Sequence, residues 1–278
     1  MSLHRAIPLL LLIACGSSGG DTERPRTFGG DRPVTLQVPG DFDAAKQYPL
    51  VMILHGYSAN AFTQQAYFGM TSLANDREAL VVAPDGTVDA SGNQFWNADS
   101  TCCDFGHLNP DDVGYLGGLL DDIAAAWPVD PQAVYVLGHS NGAWMAYRMA
   151  CERADAISSI VVLAGNASVG ITCAPAHPVN VLHLHGTADT TVPYSETSVD
   201  TWAGLDTCTG TRAAGATLDL DATLAGPETQ MSSTGGCPGG GAVDLWKIEG
   251  AGHIPNLTAA FEPSVWPWLL DHPRPPPG

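Results

Sequence analysis

A serine between two glycines, in the run GHSNG at 138–142, carries the clearest chemical signal in this sequence. The run matches Gly-x-Ser-x-Gly, the pattern of a tight turn that presents a nucleophilic serine between a strand and a helix. An apolar run at 133–137 enters this turn and a helical pattern at 143–149 leaves it, as that geometry requires. We therefore predict that Ser140 is a nucleophile and not the N-cap of an ordinary helix, with glycines that let the strand and the helix pack closely.

A serine hydroxyl is a weak nucleophile at neutral pH, so it needs a base and a carboxylate that orients the base. On scaffolds with this turn, the chain order is serine, acid, histidine. Asp189 and His253 both follow Ser140 in the sequence, and each comes shortly after an apolar strand. We predict Asp189 as the acid and His253 as the base. Asp200 and Asp206 are alternatives for the acid, and Asp189 would then only stabilise a turn.

Two backbone N–H groups should stabilise the negative charge that develops when a serine attacks a carbonyl. The first is the N–H of Asn141, which follows the nucleophile. The second is expected in the loop after the first apolar strand, where Tyr57 follows His55 and Gly56. The alternative is that His55 and Gly56 form only a turn at the end of a strand.

Two further histidines are assigned no catalytic role. His139 is interpreted as a structural neighbour of the serine, because it should point elsewhere if Ser140 is at the apex of the turn. His183 is expected to face the interior of the sheet or a covering helix.

The elements around these residues alternate between strand and helix. The strands are mostly continuous apolar runs, which is typical of a parallel sheet covered on both faces. We predict an α/β fold with a mainly parallel twisted sheet, helices on both faces, and the functional site at the carboxyl ends of the strands. The predicted strands lie at 50–54, 80–83, 133–137, 160–164, 179–184 and 243–248, and the clearest helices at 111–127 and 142–152.

Charge restricts the partners of the 278-residue chain. Eleven lysines and arginines against 29 aspartates and glutamates give a formal net charge of −18. Nucleic acids and anionic lipids need clustered cations, so the sequence disfavours both as partners. A neutral substrate is expected. We predict no cofactor and no metal, since the chemistry needs neither and no Gly-x-Gly dinucleotide pattern follows the first strand.

The N-terminal residues predict export. An apolar run too short to span a bilayer ends at Cys15 in a pattern similar to a bacterial lipobox, so we predict a lipoprotein signal peptide at 1–14 and a lipidated Cys15. An ordinary signal peptide is the alternative. A flexible tether at 15–31, one catalytic domain at 32–272 and a proline-rich tail at 273–278 complete the predicted organisation. The protein would then be extracytoplasmic, either secreted or held by its lipid at the outer membrane or cell surface.

The remaining six cysteines are expected to form three disulfides in an oxidising compartment. Cys208 and Cys237 flank one glycine- and threonine-rich segment and are the first predicted pair. Cys102 and Cys103 are expected to pair separately with Cys151 and Cys173, in an order that the sequence leaves open. Some of the six could instead be buried thiols.

The segment 204–241 interrupts the strand–helix alternation and is interpreted as an inserted hairpin or loop. Asp219 and Asp221 alternate along it, and we expect a solvated edge there in preference to a calcium site. Three tryptophans, Trp96, Trp144 and Trp202, could line a substrate pocket or pack in the core.

Several of these segments together carry a family resemblance that runs from about residue 32 to residue 270. The chain resembles the secreted polyhydroxybutyrate depolymerase-like esterases, a group with feruloyl and acetyl xylan esterases of the α/β-hydrolase fold. The resemblance implies an extracytoplasmic carboxylic-ester hydrolase with Ser140, Asp189 and His253 as nucleophile, acid and base. The matching segments are 49–60, 95–97, 102–103, 111–113, 138–152 and 186–194.

The expected function is therefore hydrolysis, through an acyl-enzyme, of a neutral ester of the feruloyl, acetyl or hydroxyalkanoate oligomer type. Two departures from the family pattern concern the substrate: the residues that flank Ser140, and the Ile254-Pro255 pair after the histidine. A soluble ester is expected over a solid polymer. The alternatives are a serine peptidase on the same scaffold and a catalytically silent, lipid-anchored binding protein.

Overall fold

The computed structural model describes residues 24–167 and 172–274. Two short hairpins lie outside the main sheet: β1 (Thr27–Phe28) pairs with β2 (Val34–Thr35), and β5 (Thr87–Val88) pairs with β6 (Gln94–Phe95). The main sheet contains β3 (Tyr48–Leu54), β4 (Leu80–Val82), β7 (Val129–His139), β8 (Ser159–Leu163), β9 (Asn180–Gly186), β10 (Arg212–Leu218), β11 (Thr229–Thr234) and β12 (Val243–Ile248). The helices are α1 (Ala61–Tyr67), α2 (Leu73–Asp76), α3 (Asp112–Ala126), α4 (Asn141–Glu152), α5 (Thr197–Leu205) and α6 (Phe261–Asp271).

The eight strands of the main sheet follow the order β10-β11-β12-β9-β8-β7-β3-β4. All neighbours from β12 to β4 are parallel, whereas β10 and β11 are antiparallel additions at one edge. Parallel neighbours all end at the same edge of the sheet, so the loops that follow β3, β7, β9 and β12 converge there.

The sheet is covered on both faces, as predicted from its continuous apolar strands. Along β3, Leu50 and Met52 join a core that includes α3, α4 and α5, while Val51 and Ile53 join a second core that includes α1, α2 and α6. This division follows from the alternation of side chains along a strand.

Residues 24–31 belong to the folded body, which corrects the predicted tether. Their backbone forms β1, and the Pro25 carbonyl accepts a hydrogen bond from the Trp127 indole at 2.8 Å. The apolar pattern of this stretch is too short to reveal such pairing from sequence. The predicted signal peptide at 1–14 and Cys15 lie outside the described residues. Within the described ranges, no helix has the length and apolar content needed to cross a bilayer.

The predicted proline-rich tail also begins later than expected. The Arg274 amide donates to the Gln132 carbonyl at 2.9 Å, so the chain is still packed at that point. Residues 275–278 lie outside the described residues.

The segment 204–241 contains the antiparallel pair β10–β11, which extends the sheet beyond β12. The hairpin alternative is therefore correct. Asp219 is exposed, as expected, whereas the expectation is wrong for Asp221, which is buried with its carboxylate accepting hydrogen bonds from the Thr223 and Asn256 amides.

One of the predicted disulfides is confirmed, between Cys208 at the end of α5 and Cys237 after β11. It joins a helix to the antiparallel extension of the sheet.

The other predicted pairing is wrong, since Cys102 bonds to Cys103 and Cys151 bonds to Cys173. The physical reason is distance. Cys102 and Cys103 line the same cavity as Ser140, at the start of α4, whereas Cys151 lies near the end of that helix. Twelve helical residues span about 18 Å, far more than a disulfide can bridge.

Candidate active site

Ser140 occupies the sharp turn between β7 and α4. Its backbone angles are φ 52° and ψ −121°, a conformation that is strained for a residue with a side chain. A Cβ atom at Gly138 would collide with the Gly142 carbonyl, and one at Gly142 would collide with the Leu54 carbonyl of β3. Both glycines are therefore needed for the chain to turn this tightly and present the serine.

Asp189 and His253 lie in the loops that follow β9 and β12, two neighbouring parallel strands. His253 Nε2 lies 2.9 Å from Ser140 Oγ, and His253 Nδ1 lies 2.8 Å from Asp189 Oδ2. The Asp189 side chain is fully buried, while the His253 side chain keeps 15% of its surface exposed. The three predicted residues are thus brought into one continuous hydrogen-bonded arrangement.

Asp189 is held as a carboxylate by its own loop. Its Oδ1 accepts hydrogen bonds from the Thr191 and Val192 amides, each at 2.8 Å. Burial by itself would raise the pKa of Asp189, but the hydrogen bonds from His253 and from these amides outweigh it and keep that pKa below its usual value. An ionised carboxylate at this position fixes the proton of His253 on Nδ1 and leaves Nε2 free to accept the serine proton.

The two predicted backbone donors, Tyr57 and Asn141, belong to the loop after β3 and to the first residue of α4. Neither of their N–H groups donates to another described residue. The start of a helix adds a favourable field for negative charge. A developing oxyanion is the kind of group that two such free donors can stabilise.

Trp96 braces these two donor segments. Its indole N–H donates to the His55 carbonyl at 3.0 Å, and its backbone exchanges two hydrogen bonds with the Asn141 amide side chain, at 2.7 and 2.9 Å. The indole is fully buried. Trp96 therefore positions the donors, and of its two predicted places, pocket or core, the core is the correct one.

His55 fixes the same loop from inside. Its Nδ1–H donates to the Gly56 carbonyl at 2.8 Å, and its Nε2 accepts from the Gly86 amide at 2.9 Å. Burial lowers the pKa of His55, so the ring is neutral and offers one donor and one acceptor.

Two cavities flank Ser140. One, of about 320 Å³, is lined by residues that include Tyr57, Tyr67, His253 and Ile254. The other, of about 420 Å³, is lined by residues that include Tyr57, the Cys102–Cys103 pair, Phe105 and Trp144. Ser140 and Tyr57 border both, so a bound molecule could extend to either side of the serine.

Only one of the other two predicted pocket tryptophans reaches these cavities. Trp144 lines the larger one. For Trp202 the core alternative is correct, since it is buried and donates its indole N–H to the Val179 carbonyl at 2.8 Å. It borders a different cavity, beside the Cys151–Cys173 disulfide. Position along the sequence did not reveal which face of its helix each indole would occupy.

Comparisons with known proteins assign the family. The Esterase family model matches residues 26–220, about two thirds of the chain. The chain belongs to the Esterase family. It has the α/β-hydrolase fold, as the sequence resemblance implied.

Named relatives agree with this assignment. The chain is 27% identical over 243 residues to "Feruloyl esterase B" of Piromyces equi, covering 80% of this chain and 42% of that protein. It is 28% identical over 201 residues to "Probable feruloyl esterase C" of Aspergillus niger, covering 68% of each. The chain thus spans less than half the length of the Piromyces protein. Among solved structures, it is similar to an acetyl xylan esterase from Aspergillus awamori, with a TM-score of 0.61, 14% identity, and coverage of 86% of this chain and 94% of that one.

The two alternative acids lie away from the serine. Asp200 is exposed on α5 and pairs with Arg212 of β10, and Asp206 is buried beside Trp202 and Val179. Neither contacts His253. Among the described residues, no group of three histidine, cysteine, aspartate or glutamate side chains is placed to hold a metal ion.

His139 has a role that the sequence did not reveal. Its Nε2 lies 3.0 Å from the His253 carbonyl oxygen, so it carries a proton there and donates it. Burial lowers the pKa of His139 to about 4, which keeps the ring neutral. The ring packs against Tyr67 and borders the smaller cavity. His139 therefore anchors the backbone of the loop that carries the histidine, and its place at the strand end beside Ser140 was the only signal.

Proposed function

We propose that this esterase hydrolyses a neutral carboxylic ester through an acyl-enzyme, with Ser140 as nucleophile, His253 as general base and acid, and Asp189 as the carboxylate that orients it. The observation that carries the proposal is the pair of hydrogen bonds, 2.9 Å from Ser140 Oγ to His253 Nε2 and 2.8 Å from His253 Nδ1 to Asp189 Oδ2. These distances are within the range over which a proton is transferred.

The reaction begins when the Ser140 hydroxyl proton moves to His253 Nε2 and Oγ bonds to the ester carbonyl carbon. The carbonyl oxygen becomes an oxyanion that accepts hydrogen bonds from the Tyr57 and Asn141 amides. The carbon–oxygen bond to the alcohol then breaks, and the alcohol takes the proton from His253. Water repeats the sequence: His253 removes its proton, the hydroxide adds to the acyl carbon, and the acid leaves as Ser140 regains its proton.

The proposed substrate is an ester of the feruloyl, acetyl or hydroxyalkanoate oligomer type. Relatives named as feruloyl esterases support the aromatic acyl group, and the two cavities beside Ser140 give room for an acyl and an alcohol part. Phe105 and Trp144 line the larger cavity and offer ring faces to an aromatic acyl group. The net charge of −18 favours a neutral substrate over an anionic one.

We further propose that the enzyme acts outside the cytoplasm, held to a membrane by a lipid on Cys15 or released. Three disulfides support an oxidising compartment, because such bonds are rare in reducing ones. The apolar run that ends at Cys15 supports export.

The test of the mechanism is the Ser140→Ala variant, measured on p-nitrophenyl acetate. We expect turnover to fall by roughly three orders of magnitude or more, because the attacking oxygen is lost. Ser233→Ala is the matched control, since this exposed serine lies on β11, four strands away from β7, and its removal should leave turnover unchanged. A Ser140→Ala variant that is folded and keeps wild-type turnover would refute the assignment.

The same assay with acetyl, feruloyl, 3-hydroxybutyryl and aminoacyl-amide substrates identifies the acyl group. Comparable rates on amides and esters would favour the peptidase alternative. A wild-type enzyme that fails to react with a fluorophosphonate would favour a silent binding protein.

A further inference from the structure

Three buried polar side chains continue the hydrogen-bonded arrangement behind Asp189. The Tyr147 hydroxyl lies 2.8 Å from His183 Nδ1, and His183 Nε2 lies 3.2 Å from His185 Nδ1. His185 Nε2 lies 3.2 Å from Asp189 Oδ2 and 2.9 Å from the Val192 carbonyl oxygen. Each of the three side chains is at most 1% exposed.

The elements explain how these side chains meet. His183 and His185 alternate along β9, so both face the same side of the sheet. Tyr147 lies on α4, the helix that follows Ser140, and α4 shares a core with the neighbouring strands. Helix α4, which follows the nucleophile, and strand β9, which leads to the acid, are therefore linked by these side chains.

The partners fix the position of every proton in this chain of contacts. Asp189 and the Val192 carbonyl only accept hydrogen bonds, so His185 must carry its proton on Nε2. Its Nδ1 is then an acceptor, which requires His183 to donate from Nε2. His183 Nδ1 in turn accepts from the Tyr147 hydroxyl. Burial supports neutral rings, since it lowers the pKa of His183 to about 3 and also lowers the pKa of His185.

Charged and titratable groups from neighbouring elements face this chain of contacts. Arg212 of β10 acts on His183 from a distance, but it is paired with Glu196 and Asp200. The Tyr194 ring packs against His185, and His139 of β7 packs against His253. None of these groups takes the place of His185 at Asp189 Oδ2.

We propose that Tyr147, His183 and His185 are positioning residues for the proposed esterase reaction. Through the His185 N–H they hold the Asp189 carboxylate and limit how strongly it attracts the proton of His253. The inference rests on the proposed function, because it assigns these residues a part in the same proton transfer.

The physical argument concerns one oxygen. Asp189 Oδ2 accepts from both His185 and His253, so a hydrogen bond from His185 withdraws negative charge from the atom that stabilises the protonated His253. Without that donor the carboxylate attracts a proton more strongly, and His253 becomes more basic. Because His253 must be neutral to accept the serine proton, the active enzyme would then appear only at higher pH.

The test compares His185→Leu with His185→Gln in the dependence of kcat/KM on pH. Leucine removes the donor, so we expect kcat/KM to fall about tenfold and the acid limb to move to higher pH by on the order of half a unit. Glutamine carries a donor and an acceptor, as the neutral ring does. The glutamine variant should therefore keep most of the wild-type kcat/KM, with its acid limb at the wild-type pH. Equal losses in both variants with an unmoved limb would show a purely structural role and overturn the proposal.

Two further measurements cover the case in which the leucine variant does not fold. Tyr147→Phe removes only the terminal hydroxyl and should move the limb in the same direction by less. In wild-type enzyme labelled with ¹⁵N, the histidine spectrum should show the protons of His183 and His185 on Nε2. A proton on His185 Nδ1 would overturn the inference, whatever the activity.

These outcomes separate the two proposals. Full activity of Ser140→Ala would refute the proposed function, whereas an inactive Ser140→Ala variant together with an unmoved limb in His185→Leu would refute only the positioning role.

Discussion

Asp189 accepts hydrogen bonds at both carboxylate oxygens, two at Oδ1 from backbone amides and two at Oδ2 from histidines. Such a buried carboxylate cannot rotate without losing several charge-assisted hydrogen bonds. The orientation of His253, and hence the direction in which its Nε2 points, is therefore determined by a rigid acceptor. Ser140 meets that nitrogen because its own backbone is confined to one strained conformation.

The pKa of Asp206 is shifted in the opposite direction to that of Asp189. Burial raises the pKa of Asp206 to about 7. The group also ends α5, where a negative charge is unfavourable. The folded pKa lies above the unfolded value of about 3.9. The folded protein therefore loses stability as pH rises from about 4 through 7.

We expect Asp206→Asn, which resembles the protonated acid, to be more stable than wild type at pH 8 by on the order of 2–4 kcal/mol, with a smaller difference at pH 5. Urea unfolding at the two pH values measures this difference. Asp200→Asn is the control, because Asp200 is exposed on the same helix and its loss should give no such gain. A difference between Asp206→Asn and wild type that is the same at both pH values would contradict the expectation.

The order of the strands brings the parts of the site together. Since β9 and β12 are neighbours in the sheet although about 60 residues separate them in sequence, the acid and the base lie on adjacent loops. The antiparallel strands β10 and β11 lie beyond β12, at an edge that the site does not use. We therefore expect β10 and β11 to affect the stability of the protein more than the reaction at Ser140.

The Cys208–Cys237 disulfide closes this antiparallel extension with a sequence separation of 29. We expect the double variant Cys208→Ala/Cys237→Ala to lose about 3 kcal/mol of unfolding free energy, because the unfolded chain regains the freedom that the closed loop removes. Turnover of p-nitrophenyl acetate by the folded variant should stay near wild type. Urea unfolding measures the loss, and an unchanged midpoint and slope would contradict the prediction.

The net negative charge of the chain affects the stability of the whole molecule. A net charge of −18 produces self-repulsion, which opposes the compact state and is screened by salt. Near the isoelectric point of about 4.5 this repulsion largely disappears.

We therefore expect the unfolding temperature to rise by a few degrees between about 0.05 and 0.5 M sodium chloride at pH 8, and to rise less at pH 5. Differential scanning calorimetry at the two pH values provides the measurement. An equal rise at both pH values would show that salt acts by something other than charge screening.

Neighbouring residues in the sequence were sufficient to predict the main strands and helices and the turn at Ser140. The strand at 133–137, the glycines at 138 and 142 and the following helix are all contiguous, and the continuous apolar strands predicted a sheet covered on both faces. Chain order then pointed to Asp189 and His253. The sequence did not decide whether the segment 204–241 forms a hairpin or a loop, because the two strands in this segment carry no apolar pattern.

Contacts between distant segments could not be predicted in the same way. The sequence did not decide whether Trp96 lines a pocket or packs in the core. Only the tertiary structure places its indole between His55 and Asn141. The same holds for His139 against the His253 loop and for the contacts from Tyr147 to His185.

The amino-acid sequence by itself determined which residues could react and which strands could form, because both depend on neighbours a few positions away. The tertiary structure decided which buried groups support the reacting ones, because that depends on the order of strands in the sheet and on which face of each helix meets it. A hydrogen bond requires two atoms within about 3 Å, and a linear pattern does not encode that distance for residues far apart in the chain.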